Sequence, residues 1–365
     1  MERKLASVQI IAEKKPIKGA DLIEAIRING WWLVSKKGEF EVGDKCVYFE
    51  VDSFLPIKPE FEFLRKNSYR SNPDIGEGFK LRTIKLKGQI SQGLALPMKS
   101  LPAIEDYILS IRPFSFGFYD SRFEPGADFT EILGVRKWEL PEKGNFVGQQ
   151  KGSFPSFIRK TDQERCQNLV NEIYEAYHAH EVFEITTKLD GSSCTAYYYN
   201  GEVGVCSRNI ELKLNEENKD NHFVKTITKL GILDKLKELG RNIAIQGELM
   251  GPGIQGNELK LTEHNFYVFD IFDIDKQEYL TPYDRIALLE LFLEVKHIPV
   301  LEKAKLPLPN SPYGYLPYDN IEDLLELADE LSITEGRIVE GFVCKSLERN
   351  FSFKVISNSY LLGEK

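Results

Sequence analysis

The segment EITTKLDGSSCTAYYYNG, residues 184–201, sets Lys188 two positions ahead of Asp190 and Gly191 on a stretch that otherwise alternates like a strand. With a period of two, Ile185, Thr187 and Leu189 face one way and Thr186, Lys188 and Asp190 the other, so amine and carboxylate share a face. Gly191 then permits a sharp turn and a close backbone approach to a ligand. An amine so placed is a candidate nucleophile. At an ordinary pKa near 10.4 only about one lysine in 2,500 is neutral at pH 7, so that chemistry requires desolvation or a neighbouring positive charge such as a metal. K-x-D-G alone is weak, since about one chain of this length in ten carries it by accident. In isolation, a lysine beside a β-turn is the simpler account.

Other residues able to act on a charged substrate follow in a fixed order. Arg208 ends a short β-run in VCSRN, Glu248 stands next to a glycine in IQGELMGPGIQGN, and Phe269 lies in the aromatic run NFYVFDIFD. Glu340 precedes Gly341 in IVEGFVCK, and Lys354 sits in FSFKVIS with Phe351, Phe353 and Val355 pointing the other way. With Lys188-Leu189-Asp190-Gly191, this ordered set resembles the motifs of the covalent nucleotidyltransferases, the superfamily of ATP-dependent ligases and mRNA capping enzymes. Within it, SFPSFIRKTDQERCQNL, GELMGPGIQGN and FKVISNSYLL resemble the RNA ligases. GDKCVYFEVDSFLP and LRTIKLKGQISQGLALP are similar to the branch with an OB domain ahead of the catalytic domain. The resemblance covers nearly the whole chain; the set is specific, although no single member is.

What the resemblance implies is an α+β protein, with an N-terminal β-rich OB-like barrel over 1–148 and a mixed α/β nucleotidyltransferase domain with antiparallel sheets over 149–365. Lys188 would attack the α-phosphate of ATP, expel pyrophosphate and hold AMP through a P–N bond. AMP would pass to an RNA 5′-phosphate, and a 3′-hydroxyl would displace it. The implied partner is RNA with 3′-hydroxyl and 5′-phosphate ends, a nicked duplex being the expected form. Such in-line transfers are catalysed mainly by positioning and by neutralising charge on oxygen. Asp190, Glu248 and Glu340 are the implied holders of a Mg²⁺ or Mn²⁺, through its bound waters; the plainer reading makes them exposed acids on strand ends. By the same resemblance Arg208 would bind ribose or the phosphate side of the substrate, Phe269 would stack on adenine, and Lys354 would contact the α-phosphate. Gly191 would line the nucleotide, and Lys160 and Arg165 are further nucleotide-side candidates. A regular strand puts Tyr267 and Ile271 on the Phe269 face. One departure is visible: the last motif commonly carries two lysines one residue apart, whereas Ser352 and Ile356 flank Lys354 at that spacing. Lys345, an odd number of positions from Glu340, is expected on the opposite strand face.

Elements able to position these residues are legible along the chain. WWLVSKKGEF, EVGD and KCVYFEVDSFLP read as short strands broken at Gly38, Gly43-Asp44 and Pro56, and KLRTIKLKGQISQGLALP continues them to Pro97. From Phe114 to Gln150 the chain is rich in glycine and proline, which makes 140–155 the expected linker. KTDQERCQNLVNEIYEAYHAH predicts a helix opened by a capping box, Thr161 three residues before Glu164. Further helices are expected at 223–239, 283–297 and 319–331, and strands at 182–189, 194–200, 203–207, 242–249, 266–272, 338–344 and 351–356. ELKLNEENKDNH, 211–222, reads as a mobile polar loop. GPGIQG, 251–256, fits G-x-G-x-x-G, but NELKLTEHNFYVFD after it is no helix, so a pyrophosphate would find no helix N-terminus there.

Composition narrows the classes. With 365 residues and 42% hydrophobic content there is room for two domains, each closing its own core. No apolar run approaches the ~18 residues of a membrane span, and MERKLASVQI lacks a signal-like stretch, so a soluble cytoplasmic protein is expected. Five scattered cysteines without C-x-x-C spacing read as reduced thiols, and His178 and His180 as a solvated helix end rather than a metal site. A net charge of −9 argues against a protein that merely coats nucleic acid. Yet residues 78–104 carry Lys80, Arg82, Lys85, Lys87 and Lys99 and no acid, so Arg82, Lys85 and Lys87 are candidate RNA contacts, with a solvated strand face as the plain alternative. Two rival readings remain. A DNA ligase or a GTP-dependent capping guanylyltransferase usually carries its OB domain after the catalytic one, and only residues 355–365 follow Lys354. A non-catalytic RNA-binding OB protein would need no lysine nucleophile.

Overall fold

Short apolar runs punctuated by glycine and aspartate turns build the first of two units. The structure, a computed structural model, describes residues 3–111, 123–139, 148–257, 259–301, 313–334 and 339–363. One unit comprises Met1–Pro141 with Gln167–Val170, the other Glu142–Cys166 with Asn171–Lys365. In the first, Lys45–Phe49 is the middle of a three-stranded antiparallel sheet, between Ala6–Ile10 and Leu94–Leu96. Glu13–Pro16, Ile23–Ile28 and Trp31–Lys36 form a second, and Thr83–Leu86 with Gln89–Gln92 a hairpin. Four strands in the order Arg136–Lys137, Ser53–Leu55, Gly76–Lys80, Tyr69–Asn72 complete the β-structure. Val8, Val47, Phe49, Leu55, Phe61 and Phe79 fill one core; Ile26, Ile28, Trp31, Leu33 and Tyr48 fill another. This is the expected β-rich OB-type unit.

The second unit is built on two sheets. Seven strands run in the order Gln150–Ser153, Ile210–Leu212, Glu202–Cys206, Ser192–Tyr199, Ile243–Met250, Asn265–Asp273, Glu278–Tyr279, antiparallel throughout. Val224, Ile227, Ile232 and Leu236, from two helices, pack with Ile245, Val268 and Ile271 of this sheet. The other sheet has five strands, Glu164–Arg165, Ser352–Ile356, Gly341–Ser346, Val182–Lys188 and Tyr313–Tyr315, antiparallel except where the first pairs with the second. The fold is therefore α+β with antiparallel sheets. No helix among the described residues is long and apolar enough to cross a membrane.

Several local expectations yield to tertiary contacts. The Thr161–Glu164 spacing opens no helix: Glu164 and Arg165 pair in parallel with Phe353 and Lys354, and the helix begins at Val170. The run 223–239 is two helices, His222–Lys229 and Ile232–Leu239, parted by Gly231 at φ +66°. Pro282–Leu288 continues as a π-helical turn, Leu289–Leu293, which stops at Glu294 in the left-handed region. The polar segment 211–222 is held rather than loose: the buried Asn218 amide donates to Gln149 O and Lys213 O, both at 2.8 Å. Of the expected linker, 140–147 lie outside the described residues, and Gln150–Ser153 is an edge strand of the large sheet.

Candidate active site

Lys188 ends its strand opposite Gly341, which in turn pairs with Ile356. Counting alternate rows, which share a face, the next is Thr186, Val343 and Lys354, and the one beyond is Glu184, Lys345 and Ser352. Directly opposed residues share a face of a sheet, so Lys188, Lys354, Lys345 and Glu184 all stand on one side. The alternation argument that separated Lys345 from the site thus fails, and the cause is Gly341. That residue has φ +148°, outside the range of ordinary side chains, so Glu340 departs from the strand's alternation and its carboxylate hydrogen-bonds the Lys188 ammonium. A Cβ at Gly341 would lie 2.0 Å from Val355 O, so glycine is required by both conformation and space.

The remaining acids close around the Asp-Gly bend. Glu248 lies on the neighbouring sheet's Ile243–Met250 strand, and its Oε1 accepts the Gly191 N–H at 3.0 Å. Asp190 Oδ2 accepts the Tyr360 hydroxyl at 2.6 Å. Tyr360 comes from the short helix Asn358–Leu362, whose N-cap Ser357 accepts from the Tyr360 N–H and donates to Asp329 at 2.6 Å. The Glu248 carboxyl is pushed up to about 7, by burial above all and by the charges of Glu340 and Asp190, against the opposing pull of Lys188 and the Gly191 N–H. Lys354 donates to Asp162 at 2.8 Å, and its amine is held below the usual lysine range by burial, against the pull of Asp162 and with a push from Lys188 and Arg165. These mutual influences place Lys188, Asp190, Glu248, Glu340, Lys354 and Arg165 in one electrostatic neighbourhood. Two of its members, Asp162 and Tyr360, escaped sequence reasoning, although Ser357-x-x-Tyr360 has cap spacing.

Phe269 is set by an irregularity. Gln246 pairs with Asp270 and Gly247 with Val268, so Phe269 is the extra residue of a β-bulge. Tyr267 and Phe269 consequently pack beside Leu189 and Met250, whereas Ile271 joins Phe266 and Val268 in the core on the other side. Tyr267 shares the Phe269 side as expected; Ile271 does not. Lys345 Nζ donates to Phe269 O at 2.8 Å and to Asp270 at 2.7 Å, and lies 5.6 Å from the Phe269 ring centre. Arg285 Nη2 contacts both Glu184 oxygens at 2.5 Å, its Nη1 lies 3.6 Å from Asp270, and His297 stands 3.2 Å from Nη2. Glu184 and Asp270 belong to different sheets, so this buried charge group ties the two together. Removing one partner would strand a desolvated charge.

Arg208 is exposed in the turn between the Cys206 and Ile210 strands, next to Asn209, whose side chain accepts from Lys160 at 3.0 Å. Among the described residues no three acidic, histidine or cysteine side chains stand close enough to grip a metal directly. Glu340, Glu248 and Asp190 are engaged by Lys188, Gly191 and Tyr360, an arrangement suited to holding an ion through its waters. The Glu248 carboxyl is raised by burial first and by Glu340 and Asp190 besides, a penalty on its charged form that a cation would relieve.

An anchored lysine with a Gly-linked carboxylate across two antiparallel sheets, preceded by an OB-type unit, defines the class as a covalent nucleotidyltransferase. Comparison sharpens this. An OB-fold domain model matches residues 5–98, and the RNA ligase family model matches residues 181–356. A lysine-to-alanine variant of Naegleria gruberi RNA ligase, solved with ATP and Mn, is 40% identical, with 98% of each chain covered and a TM-score of 0.83. The same ligase with PPi is 40% identical over 99% of this chain and 98% of its own, TM-score 0.82. A lysine-to-methionine variant with AMP and Mn gives 40%, 98% of each chain, and 0.84. Among curated proteins, no match was found. The chain belongs to the RNA ligase family.

Proposed function

We propose that this protein is an ATP-dependent RNA ligase that joins 3′-hydroxyl and 5′-phosphate ends through a lysyl-AMP at Lys188 and an adenylylated RNA 5′ end. The observation that carries the reading is Lys188 held by Glu340 on the same sheet face as Lys354, with Glu248 and Asp190 at the adjoining bend. The similar Naegleria ligase, solved with ATP and Mn and with AMP and Mn, supports ATP and a divalent metal as cofactors.

Lys188 Nζ attacks the α-phosphorus, the bond to the bridging oxygen breaks, and pyrophosphate leaves. Glu340 orients the amine and is the nearest acceptor for its proton. Lys354 neutralises charge on the α-phosphate, Phe269 stacks on adenine, and Gly191 lets the backbone approach the nucleotide. Arg208, Lys160 and Arg165 serve its ribose and phosphate side. Asp190, Glu248 and Glu340 would hold a Mg²⁺ or Mn²⁺ through its waters; when bound, the ion neutralises phosphate charge. The substrate form is a nicked duplex, which holds both RNA ends in line. Arg82, Lys85 and Lys87 contact the RNA from the segment around the Thr83–Gln92 hairpin. We take residues 1–148 as the OB module and 149–365 as the catalytic domain, a boundary that leaves the two family-model matches on opposite sides. A reducing cytoplasmic setting fits five buried cysteines that form no disulfide.

Incubation with α-labelled ATP or GTP and a divalent metal, followed by a denaturing gel, tests the reading. Label should appear on the protein with ATP and vanish in Lys188→Ala, whose fold, read by its circular dichroism spectrum, stays intact. Labelling by GTP alone would favour capping, and no label with either nucleotide would remove the enzyme reading. A nicked duplex compared with single strands then tests the substrate form.

A further inference from the structure

The four-stranded sheet of the N-terminal unit has one face on the core and one that carries charge. Leu55 and Tyr69 both pair with Phe79 on the core side. On the other, Arg136, Phe54 and Lys80 form one cross-strand row, and Arg70 pairs with Gly78 in the next. Gly78 leaves room for an aromatic floor, since a Cβ there would come 2.8 Å from the Phe54 ring. Trp138 meets that ring edge-on, with centroids 5.0 Å apart. Lys80 Nζ lies 5.1 Å from the Trp138 ring centre, and the Arg136 guanidinium 5.5 Å from that of Phe54. Arg82 is exposed just beyond Lys80.

Among the described residues, these cations gather without a matching set of acids. Arg70 donates to Tyr69 O at 2.6 Å and Arg136 to Ile75 O at 3.0 Å, carbonyls rather than carboxylates. Burial first, then the charges of Arg70 and Arg82, lower the Lys80 amine, and Asp52 is the acid that opposes them. In a chain of net charge −9, four like charges on one small face are held together at a cost. A polyanion relieves that repulsion, and an indole among the cations adds a surface on which any base can stack.

We propose that this face binds the RNA backbone, with Arg70, Lys80, Arg82 and Arg136 taking phosphates and the Trp138 indole taking a base. The proposal rests on the RNA ligase reading and assigns the polynucleotide a seat on the OB unit. Phosphate contacts fix register without reading sequence, so the site serves ends of any sequence.

Filter binding of a labelled nicked RNA duplex and of a single strand, from about 50 to about 200 mM salt, provides the test. For the combined variant Arg70→Gln, Lys80→Gln, Arg136→Gln, the slope of log K against log salt should fall by about 0.7–0.9 for each phosphate that is no longer neutralised. Trp138→Ala should bind about tenfold more weakly, while Trp138→Phe stays within about threefold of the wild type. Unchanged affinity and slope in the combined variant would overturn the assignment. So would loss of ATP labelling together with RNA binding, which would make these residues supports of the fold. If the wild type neither labels with ATP nor seals RNA, the ligase reading fails instead; if it does both while the variants bind normally, only this inference fails.

Discussion

A carboxyl pushed up to about 7 beside two other carboxylates is a destabilising group at neutral pH, and Glu248 is that group. Below its usual value of 4.5 it is protonated in folded and unfolded chains alike, and whatever stability its environment provides is fully present. As pH rises from about 4.5 to about 7, the unfolded chain ionises first and that stability is lost. Glu248→Gln, which can still accept the Gly191 N–H, should therefore gain melting temperature relative to the wild type across this window. Added Mg²⁺ or Mn²⁺ should narrow the gap by restoring the wild type. Melting curves on the metal-free and metal-loaded proteins check both statements, and parallel pH profiles would sink them. The residues around Glu248 were legible because each lies in a short string with a glycine or aromatic neighbour. Asp162, Tyr360 and Arg285 were not: alone in sequence, each looks like a solvated or core residue, and only long-range pairing supplies its partner.

Two elements show where strand periodicity succeeds and where it breaks. The Lys188 strand keeps its alternation, so its face was readable. The Phe269 strand does not, because a bulge leaves no mark in a run of aromatics. Its consequence is measurable: Ile271→Ala should cost about 2–5 kcal/mol of stability as a core truncation and leave the KM for ATP near wild type. Phe269→Ala should do the reverse, raising that KM with little loss of stability. Gly341 gives the second case. Gly341→Ala places a methyl 2.0 Å from Val355 O at φ +148°, and should cost about 3 kcal/mol through strain and overpacking. It should also lower the rate of self-adenylylation, because Glu340 no longer turns toward Lys188; a normal rate in a folded variant would refute that link. The helix broken at Gly231 could have been foreseen from the glycine itself, whereas the failed capping box could not, since Glu164–Arg165 gains its partner from a strand nearly two hundred residues away.

For the molecule as a whole, an acidic chain that handles RNA must concentrate its positive charge. Neutralising Lys85 and Lys87 should weaken RNA sealing and flatten its salt dependence more than it slows self-adenylylation. Equal loss of both would place that hairpin at the nucleotide instead. The fold class was readable because turn glycines and prolines divide the strands, and because the OB-type and catalytic motifs occur in order. The buried Glu184–Arg285–Asp270–Lys345 group was not, being scattered over four elements. The cysteines have a practical consequence. All five thiols are buried, burial holds Cys46 up at about 12, and Cys194, Cys206 and Cys344 are raised as well. Maleimides react with thiolates they can reach. Leu86→Cys, an exposed position between Lys85 and Lys87, should accept a fluorophore in the otherwise native protein, and RNA docking could then be followed in real time without first stripping out the natural sulfhydryls.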